Sequence, residues 1–331
     1  MKVAIMGCGP GGSYLYSLLR QRKPEVEIDL FDAAHHTRCG IKGCGWAISY
    51  PKFLNLCQEV DVNPEKFLLG RYDQAFIGQR SIKVDMGIID KPLFIRDMLC
   101  GEKPMAPPRE DLATYDRIID ATGTQRAYLA PYQSSLILDL IQIRATVSSA
   151  VPMMVFVNFK SVGYSWVFPL TDNEVHIGCG FVAGIEPAKQ EVERVKQRIS
   201  INRVLCSCHE RIRCHGPILP FTEGNIWGLG ESIGLVDPIS GTGMVTAMTS
   251  AKLMVDNWEN AQNYEKSVWR KYSYMVKEAN ILLSMIDGKK PSWRDILHML
   301  LPKDAFHTIG IYSSLPQKLK LAKLAWRVIG K

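Results

Sequence analysis

The chain has 331 residues, of which 47% are hydrophobic and 22% charged, and its formal net charge is +7. This composition is typical of a globular protein with a substantial core and excludes a disordered or fibrous chain. Its apolar runs fall short of the about 18 residues that a membrane-spanning helix needs, and no nucleic-acid-binding motif accompanies the positive charge. Nine irregularly spaced cysteines and the lack of a cleavable leader predict a cytoplasmic protein without a disulfide framework.

The first 31 residues have the pattern strand, glycine turn, helix, strand. An apolar run precedes the motif Gly7-x-Gly9-x-x-Gly12, and apolar residues at helical spacing follow it up to residue 21. Residues 27–31 then alternate as a second strand. This order is that of a βαβ dinucleotide-binding unit.

The three glycines and Asp32 together predict the cofactor end of such a unit. Gly7 permits the tight turn, Gly9 lets the backbone approach a pyrophosphate, and Gly12 lets the helix pack against the strand. Asp32 follows Gly12 by 20 residues and would accept hydrogen bonds from the adenosine ribose. The motif alone is compatible with NAD, FAD or a plain turn.

Two later segments also end a predicted strand in small residues. Residues 115–123 are a buried strand that ends in Ala-Thr-Gly at Gly123. Residues 225–231 are a strand that ends in Gly230-Glu231, and glycines then lead to a helix over residues 244–258. Backbone amides before a helix suit an anionic or dipolar ligand. The chain has no second Gly-x-Gly-x-x-Gly motif, which argues against a separate nicotinamide-binding domain.

A third signature is Tyr164-x-Trp166-x-Phe168-Pro169, followed after eight residues by Gly178-Cys179-Gly180. Together with the glycine segments it resembles the geranylgeranyl reductases, within the hydroxybenzoate-hydroxylase-like flavoproteins. Its three aromatic side chains alternate onto one strand face, which suits either a long apolar ligand or an ordinary core. The resemblance favours lining of a substrate pocket by Tyr164, Trp166 and Phe168.

The resemblance implies FAD as the cofactor. It places the carboxylate of Glu231, where the family has Asp, at the ribityl or phosphate region, and the amides of residues 241–244 at the isoalloxazine ring. Residues 89–96 resemble a family helix start, and a short loop at 101–111 replaces several strands of the relatives. The predicted cofactor residues are Gly7, Gly9, Gly12, Asp32, Arg38, Gly45, Arg96, Gly123, Gly230, Glu231, Gly241, Thr242, Gly243 and Met244.

Two cysteines follow Asp32 in a glycine-rich turn, where the chain of this fold returns to the flavin. Cys44-Gly45 is similar to the reductases' Cys-Gly turn, and Cys39 and Cys44 have the spacing of a flavin-linked dithiol. Arg38 and Lys42 flank these thiols, and positive charge favours the reactive thiolate. We predict Cys44 and Cys39 as catalytic residues; the alternative is a pair of buried small hydrophobic residues.

The cluster Cys206-x-Cys208-His209 with Cys214-His215 lacks the spacing of a tetrahedral metal site, so we expect structural cysteines and no metal. Residues 315–331 have apolar positions at helical spacing among basic ones. That pattern predicts an amphipathic helix on an anionic membrane surface, or one docked on its own core or on a second subunit.

We expect an α/β fold in which a Rossmann-like FAD-binding domain is interleaved with an antiparallel-sheet substrate domain and followed by a helical C-terminal segment. The predicted domains are residues 1–50, 84–125 and 224–262 for FAD; 51–83 and 126–223 for substrate; and 263–331 for the C-terminal segment.

The leading function is FAD-dependent reduction of carbon–carbon double bonds in an isoprenoid chain, with hydride from reduced flavin and a proton from an acid such as Cys44. One alternative is a flavin–dithiol oxidoreductase that uses Cys39 and Cys44 towards a disulfide or protein partner. Another is a non-catalytic or electron-transfer FAD subunit of a complex. The expected partners are an apolar isoprenoid-like substrate, an electron donor such as a redox protein, a membrane surface and a second copy of the chain, without nucleic acid.

Overall fold

The computed structural model describes residues 1–33, 44–108, 112–133, 136–158, 162–182, 184–300, 310 and 322–323. The described residues form thirteen strands in two sheets and eight α-helices. The strands are β1 Lys2–Met6, β2 Glu27–Phe31, β3 Ala47–Ser49, β4 Leu68–Ile77, β5 Arg80–Ile89, β6 Arg117–Asp120, β7 Ile137–Val147, β8 Met154–Asn158, β9 Gly163–Pro169, β10 Glu174–Phe181, β11 Ile201–Arg213, β12 Thr222–Glu223 and β13 Ile226–Gly228. The helices are α1 Pro10–Arg22, α2 Tyr50–Gln58, α3 Lys91–Met98, α4 Ile185–Arg198, α5 Met244–Asp256, α6 Ala261–Tyr272, α7 Tyr274–Ile286 and α8 Trp293–Leu300.

The first sheet is five-stranded, in the order β12-β13-β6-β1-β2. β1 lies between β2 and β6 and is parallel to both, and β13 extends the parallel set beyond β6. Val3, Ala4 and Ile5 are fully buried, as expected of a strand covered on both faces. The carboxyl ends of β1, β2, β6 and β13 meet at one edge, where ligands bind in open sheets of this kind.

The second sheet is eight-stranded, in the order β11-β7-β10-β9-β8-β4-β5-β3, and antiparallel except where β4 pairs with β8. β7, β9 and β10 are its central strands. α4 packs on one face of them, around the buried side chains of Val192 and Val195. The other face turns towards the first sheet.

The largest core cluster lies between the first sheet and the helices that cover it. α1 packs on α5, and α2 joins them through the hydroxyl of Tyr14, which donates to the carbonyl of Leu56 at 2.8 Å. Beside this contact, the rings of Phe53, Phe67 and Phe94 pack edge to face. The core thus anchors α1 and α5, the two helices that begin at glycine turns.

The predicted fold class is confirmed by this architecture: a parallel Rossmann-like sheet, a largely antiparallel second sheet, and the helices α6 to α8 after them. Strands β3 and β5 belong to the eight-stranded sheet, and the predicted domain boundaries stay a prediction. The amphipathic tail over residues 315–331 lies outside the described residues except at 322–323. None of the described helices combines the length and apolar character that a membrane span requires.

Candidate functional site

A single cavity of about 1270 Å³ runs from the carboxyl edge of the five-stranded sheet to the inner face of the eight-stranded sheet. Ligand pockets typically have about 300–1,000 Å³, so this cavity has room for a large cofactor and a second ligand. Its floor comes from the glycine turns. Its far end is apolar and is lined by residues of β4, β5, β8, α7 and α8, among them Ile77, Val84, Val155, Leu282 and Met299.

The glycine turn before α1 has the geometry that its three positions predict. Gly7 has a φ of +106°, a conformation that favours glycine. A Cβ atom on Gly12 would lie 1.9 Å from the carbonyl oxygen of Gly7, so helix and strand can pack closely only without a side chain. A Cβ atom on Gly9 would have no protein atom within 4 Å, because that position faces the cavity.

Asp32 lies at the carboxyl end of β2 and lines the same cavity. Its amide donates to the carbonyl of Met105 at 2.9 Å, and the amide of Met105 donates to the carbonyl of Leu30 at 2.8 Å. The short loop around Met105 therefore pairs with the edge of β2 beside Asp32. Asp32 thus has the position expected of a ribose-binding carboxylate in a Rossmann unit.

The Ala-Thr-Gly turn after β6 is organised by Asp120, which is fully buried. One oxygen of its carboxylate accepts from the amide and hydroxyl of Thr122, at 3.1 and 2.7 Å. The other accepts from the amides of Tyr128 and Leu129, at 2.9 and 3.1 Å. These bonds fold the segment back at Gly123, whose φ is +67° and which lines the cavity.

Glu231 follows β13 and lines the cavity opposite this turn. Its Oε1 accepts from the hydroxyl of Thr124 at 2.6 Å and from the amide of Arg213 at 3.0 Å. The preceding residue, Gly230, donates its amide to the hydroxyl of Ser250 at 3.0 Å. The carboxylate of Glu231 therefore ties the turn after β6 to the end of β11, and the amide of Gly230 ties the same segment to α5.

The loop of residues 237–243, called here the 237–243 loop, leads into α5. Oδ1 of the buried Asp237 accepts from the amides of Ile239 and Ser240, at 3.1 and 2.8 Å, and also from the Ser240 hydroxyl. Gly243 caps the N-terminus of α5 without a side-chain hydrogen bond. The amides at the start of α5 therefore carry no side-chain cap where they border the cavity.

The aromatic triad of β9 lines the cavity above this loop. The rings of Tyr164 and Trp166 are 5.7 Å apart, and those of Trp166 and Phe168 are stacked at 6.1 Å. The hydroxyl of Tyr164 donates to the carbonyl of Ser240, and burial raises the pKa of this tyrosine. Within the described chain, the buried Nε1 of Trp166 has no hydrogen-bond partner.

The Gly178-Cys179-Gly180 stretch of β10 makes space for that triad. A Cβ atom on Gly178 would lie 2.3 Å from the indole of Trp166, so the ring lies flat over bare backbone. Cys179 points to the opposite face, where its thiol donates to the carbonyl of Ala188 at 3.0 Å. Gly178 is thus required by packing of the cavity wall, whereas a Cβ atom on Gly180 would come no closer than 3.4 Å to Leu138.

Residues 44–46, called here the 44–46 turn, cross the inner face of the eight-stranded sheet. All three residues line the cavity. Cys44 is a half-buried free thiol. Gly45 lies against the triad, since a Cβ atom there would be 2.8 Å from the ring of Phe168. The turn thus brings a thiol to the region where the two ends of the cavity meet.

Most of the predicted site residues line this one cavity. Those that do are Gly7, Gly9, Gly12, Asp32, Cys44, Gly45, Gly123, Tyr164, Trp166, Phe168, Gly230, Glu231, Gly241, Thr242, Gly243 and Met244. Arg38 and Cys39 lie outside the described residues. The pairing of Cys39 with Cys44 therefore stays a prediction.

Arg96 is exposed and does not line the cavity, whereas Lys91 and Ile95 on the same helix do. Lys91 is 6% exposed and follows Asp90, whose carboxylate accepts from the amide of Leu93 at 2.9 Å and begins α3. The sequence contained one signal for Lys91: it follows Asp90, which caps α3, and is therefore the first residue of that helix. The role assigned to Arg96 stays a prediction.

The cysteines of β11 and the following loop form no metal cluster in the part of the chain that the structure describes. Cys206 is disulfide-bonded, whereas Cys208 and Cys214 are free thiols. Burial raises the pKa of Cys208 to about 11 and that of Cys214 well above its ordinary value. At neutral pH these two thiols are protonated, in keeping with structural cysteines.

Two buried carboxyl groups interact with each other: that of Asp237 in the 237–243 loop and that of Glu278 in α7. Burial raises the pKa of Asp237, although hydrogen bonds from Ser240 and Ile239 oppose the shift. Burial, and then the charge of Asp237, raises the pKa of Glu278 to about 9. Glu278 is therefore a neutral acid at pH 7.

No protein-family model matches the chain. A digeranylgeranylglycerophospholipid reductase from Sulfolobus acidocaldarius is 24% identical over 360 residues, which cover 91% of this chain and 77% of that protein. A geranylgeranyl bacteriochlorophyll reductase-like protein from Thermoplasma acidophilum has a similar structure, with a TM-score of 0.72, 15% identity and coverage of 97% and 98% of the two chains. A probable FAD-dependent monooxygenase from Pseudomonas aeruginosa, pqsL, superposes with a TM-score of 0.57 at 14% identity over 94% of this chain and 98% of its own.

These similarities confirm the resemblance to the geranylgeranyl reductases that the sequence predicted. They also confirm the fold, which this chain shares with FAD-dependent oxidoreductases.

Proposed function

We propose that this FAD-dependent oxidoreductase, similar to the geranylgeranyl reductases, reduces carbon–carbon double bonds of an isoprenoid chain. The observation that carries the proposal is the cavity itself. It joins a dinucleotide-binding turn and two helix N-termini to an aromatic wall and an apolar chamber. The relative from Sulfolobus is named as a reductase of a digeranylgeranyl lipid, which is a substrate of this chemical class.

The residues at the polar end of the cavity fit FAD. The open space at Gly9 and the amides at the start of α1 suit a pyrophosphate. Asp32 suits the adenosine ribose, and Glu231 suits the ribityl or phosphate region. Gly243 and Met244, at the start of α5, suit the electron-rich edge of the flavin ring, where their amides would stabilise negative charge.

FAD, when bound and reduced, supplies a hydride to the substrate double bond. The protein must then provide a proton for the second carbon, and the thiol of Cys44 is a donor at the cavity wall. Trp166 and Phe168 would orient the isoprenoid chain across the flavin, and the apolar chamber beyond them would exclude water.

Purified protein tests this proposal directly. It should bind FAD, and after chemical reduction it should saturate a geranylgeranyl lipid, detected as a gain of two mass units per double bond. The variant C44S should retain FAD but lose most turnover, about 10²-fold or more if the thiol is the acid. Loaded and reduced protein that saturates no prenyl substrate would contradict the proposal.

A further inference from the structure

The 44–46 turn is bound to the eight-stranded sheet by its backbone. The carbonyl of Cys44 accepts a hydrogen bond of 3.0 Å from Nε2 of Gln142 on β7. The ring of His176, on β10, bonds to the backbone of Gly45. Burial lowers the pKa of His176 to about 4, although the bond to Gly45 opposes this shift. A neutral imidazole has one N–H, so the nitrogen that bonds to the carbonyl of Gly45 carries the proton. Two side chains from adjacent strands therefore hold two consecutive carbonyls.

The third carbonyl of the turn is held by the main chain of β5. The amide of Ile89 donates to the carbonyl of Trp46 at 3.1 Å. Trp46 itself has a φ of +64°, which costs a non-glycine residue about 1–3 kcal/mol. Its buried indole packs edge to face on His176, with ring centroids 4.6 Å apart. The hydrogen bond from Ile89 and the ring contact with His176 together hold Trp46 in this unfavourable conformation.

Gln142 and His176 are buried polar residues on the sheet face that carries the triad, where His176 pairs with Arg144. Gln142 pairs with Gly178. Leu140, which lies two residues before Gln142 on the same face of β7, lines the cavity. Gln142 is 5% exposed and His176 2% exposed. Burial of such groups costs about 1–3 kcal/mol unless hydrogen bonds compensate it. One polar atom of each side chain bonds to the 44–46 turn, and within the described residues Oε1 of Gln142 and Nδ1 of His176 have no partner.

We propose that Gln142 and His176 are positioning residues, which keep the thiol of Cys44 at the cavity wall by holding the backbone of the 44–46 turn. This inference rests on the proposed function, in which Cys44 supplies a proton to the substrate. It assigns Gln142 and His176 no contact with substrate or flavin. They act through the turn alone.

The test compares Q142M and H176F, which remove the donors but keep the bulk, with H176Q, whose amide can replace the imidazole N–H. Two quantities are measured in FAD-loaded protein: steady-state kcat and KM, and the rate at which iodoacetamide alkylates Cys44. The exposed Cys100 is the internal reference for alkylation. We expect Q142M and H176F to lower kcat by about tenfold, with KM unchanged, and to alter Cys44 alkylation relative to Cys100 by a similar factor. H176Q should restore both quantities.

Folded Q142M and H176F proteins with wild-type kcat and wild-type Cys44 alkylation would overturn the inference. If one of these two variants fails to fold, the other carries the test, because each removes a different donor to the 44–46 turn. C44S separates the two proposals. Loss of turnover in C44S with full turnover in Q142M and H176F would reject the positioning role alone, whereas full turnover in C44S would reject Cys44 as the acid.

Discussion

The carbonyl oxygen of Gly7 lies where a side chain on Gly12 would begin, 1.9 Å from an ideal Cβ position. Gly9, between them, has no protein atom within 4 Å of its own Cβ position. Two glycines of one motif therefore have different functions. Gly12 is needed for the fold, and Gly9 leaves room for a ligand.

Alanine at these two positions should separate stability from cofactor binding. G12A forces α1 away from β1, so we expect a loss of about 2–4 kcal/mol in the free energy of unfolding, by chemical denaturation without FAD. G9A should unfold like the wild type but bind FAD at least about tenfold more weakly, by fluorescence titration. Equal FAD affinity of G9A and wild type would contradict the predicted pyrophosphate position.

The carboxylate of Asp120 should be essential to the turn that ends at Gly123. D120N keeps the shape but replaces one acceptor oxygen with a donor, which leaves the amides of Tyr128 and Leu129, or the amide and hydroxyl of Thr122, unpaired. We expect a loss of about 2–3 kcal/mol in the free energy of unfolding.

The control for Asp120 is D116N, since the carboxylate of Asp116 accepts from the amide of Lys2 at the exposed start of β1. This variant should lose less than about 0.5 kcal/mol. Equal effects of the two substitutions would show that Asp120 has no special role in the turn.

The hydroxyl of Tyr164 should matter for cofactor affinity through the 237–243 loop. Y164F removes the donor to the carbonyl of Ser240, and we expect FAD binding to weaken by about 5- to 10-fold, the equivalent of one neutral hydrogen bond. Y72F is the matched control, because Tyr72 donates to the carbonyl of Pro169 at 3.2 Å, away from that loop. A similar FAD affinity in both variants would show that the hydrogen bond from Tyr164 to the 237–243 loop does not affect FAD binding.

Glu278 should make the protein less stable at alkaline pH. Its pKa is about 9 in the folded chain, against 4.5 as its ordinary value, so the folded state holds a proton that the unfolded state releases between these values. Stability therefore falls as pH rises through this window. E278Q removes the penalty and should raise the free energy of unfolding by about 2 kcal/mol or more at pH 8, with little effect at pH 4.5.

The exposed Glu186 provides the comparison for Glu278, since its ion pair with Lys189 lies on the surface of α4. E186Q should show no pH-dependent gain. A constant difference between E278Q and wild type from pH 5 to pH 8 would argue that Glu278 is ionised in the folded protein.

Local pattern was sufficient for the elements around the glycine turns. The strand at residues 27–31 and the helix start at Met244 match the structure because alternation and glycine spacing depend on neighbours in the sequence. The helix predicted from residue 13 begins at Pro10, since proline is favoured at a first helical position. The alternation of Tyr164, Trp166 and Phe168 likewise predicted that the three side chains lie on one face of β9.

Contacts between residues far apart in the sequence could not be predicted from local pattern. Gln142 donates to the carbonyl of Cys44, 98 positions earlier in the chain, and this contact depends on how β7 lies against the 44–46 turn. The resemblance implies Arg96 as a cofactor residue through the family's helix start at residues 89–96. Successive helical residues are rotated by about 100°, and Lys91 and Ile95 face the cavity while Arg96 faces outward.

The walls of the cavity come from distant parts of the chain: Gly9 near the start, the 44–46 turn, the triad of β9, and the N-terminus of α5 at Met244. During synthesis, a nascent chain that has left the ribosome only as far as β9 therefore carries the glycine turn without the opposing helix N-terminus. The cavity closes only after residue 244 has emerged, so we expect cofactor loading to be a late, nearly post-translational event. Truncated chains that end before Met244 should remain unloaded even where their N-terminal sheet has formed.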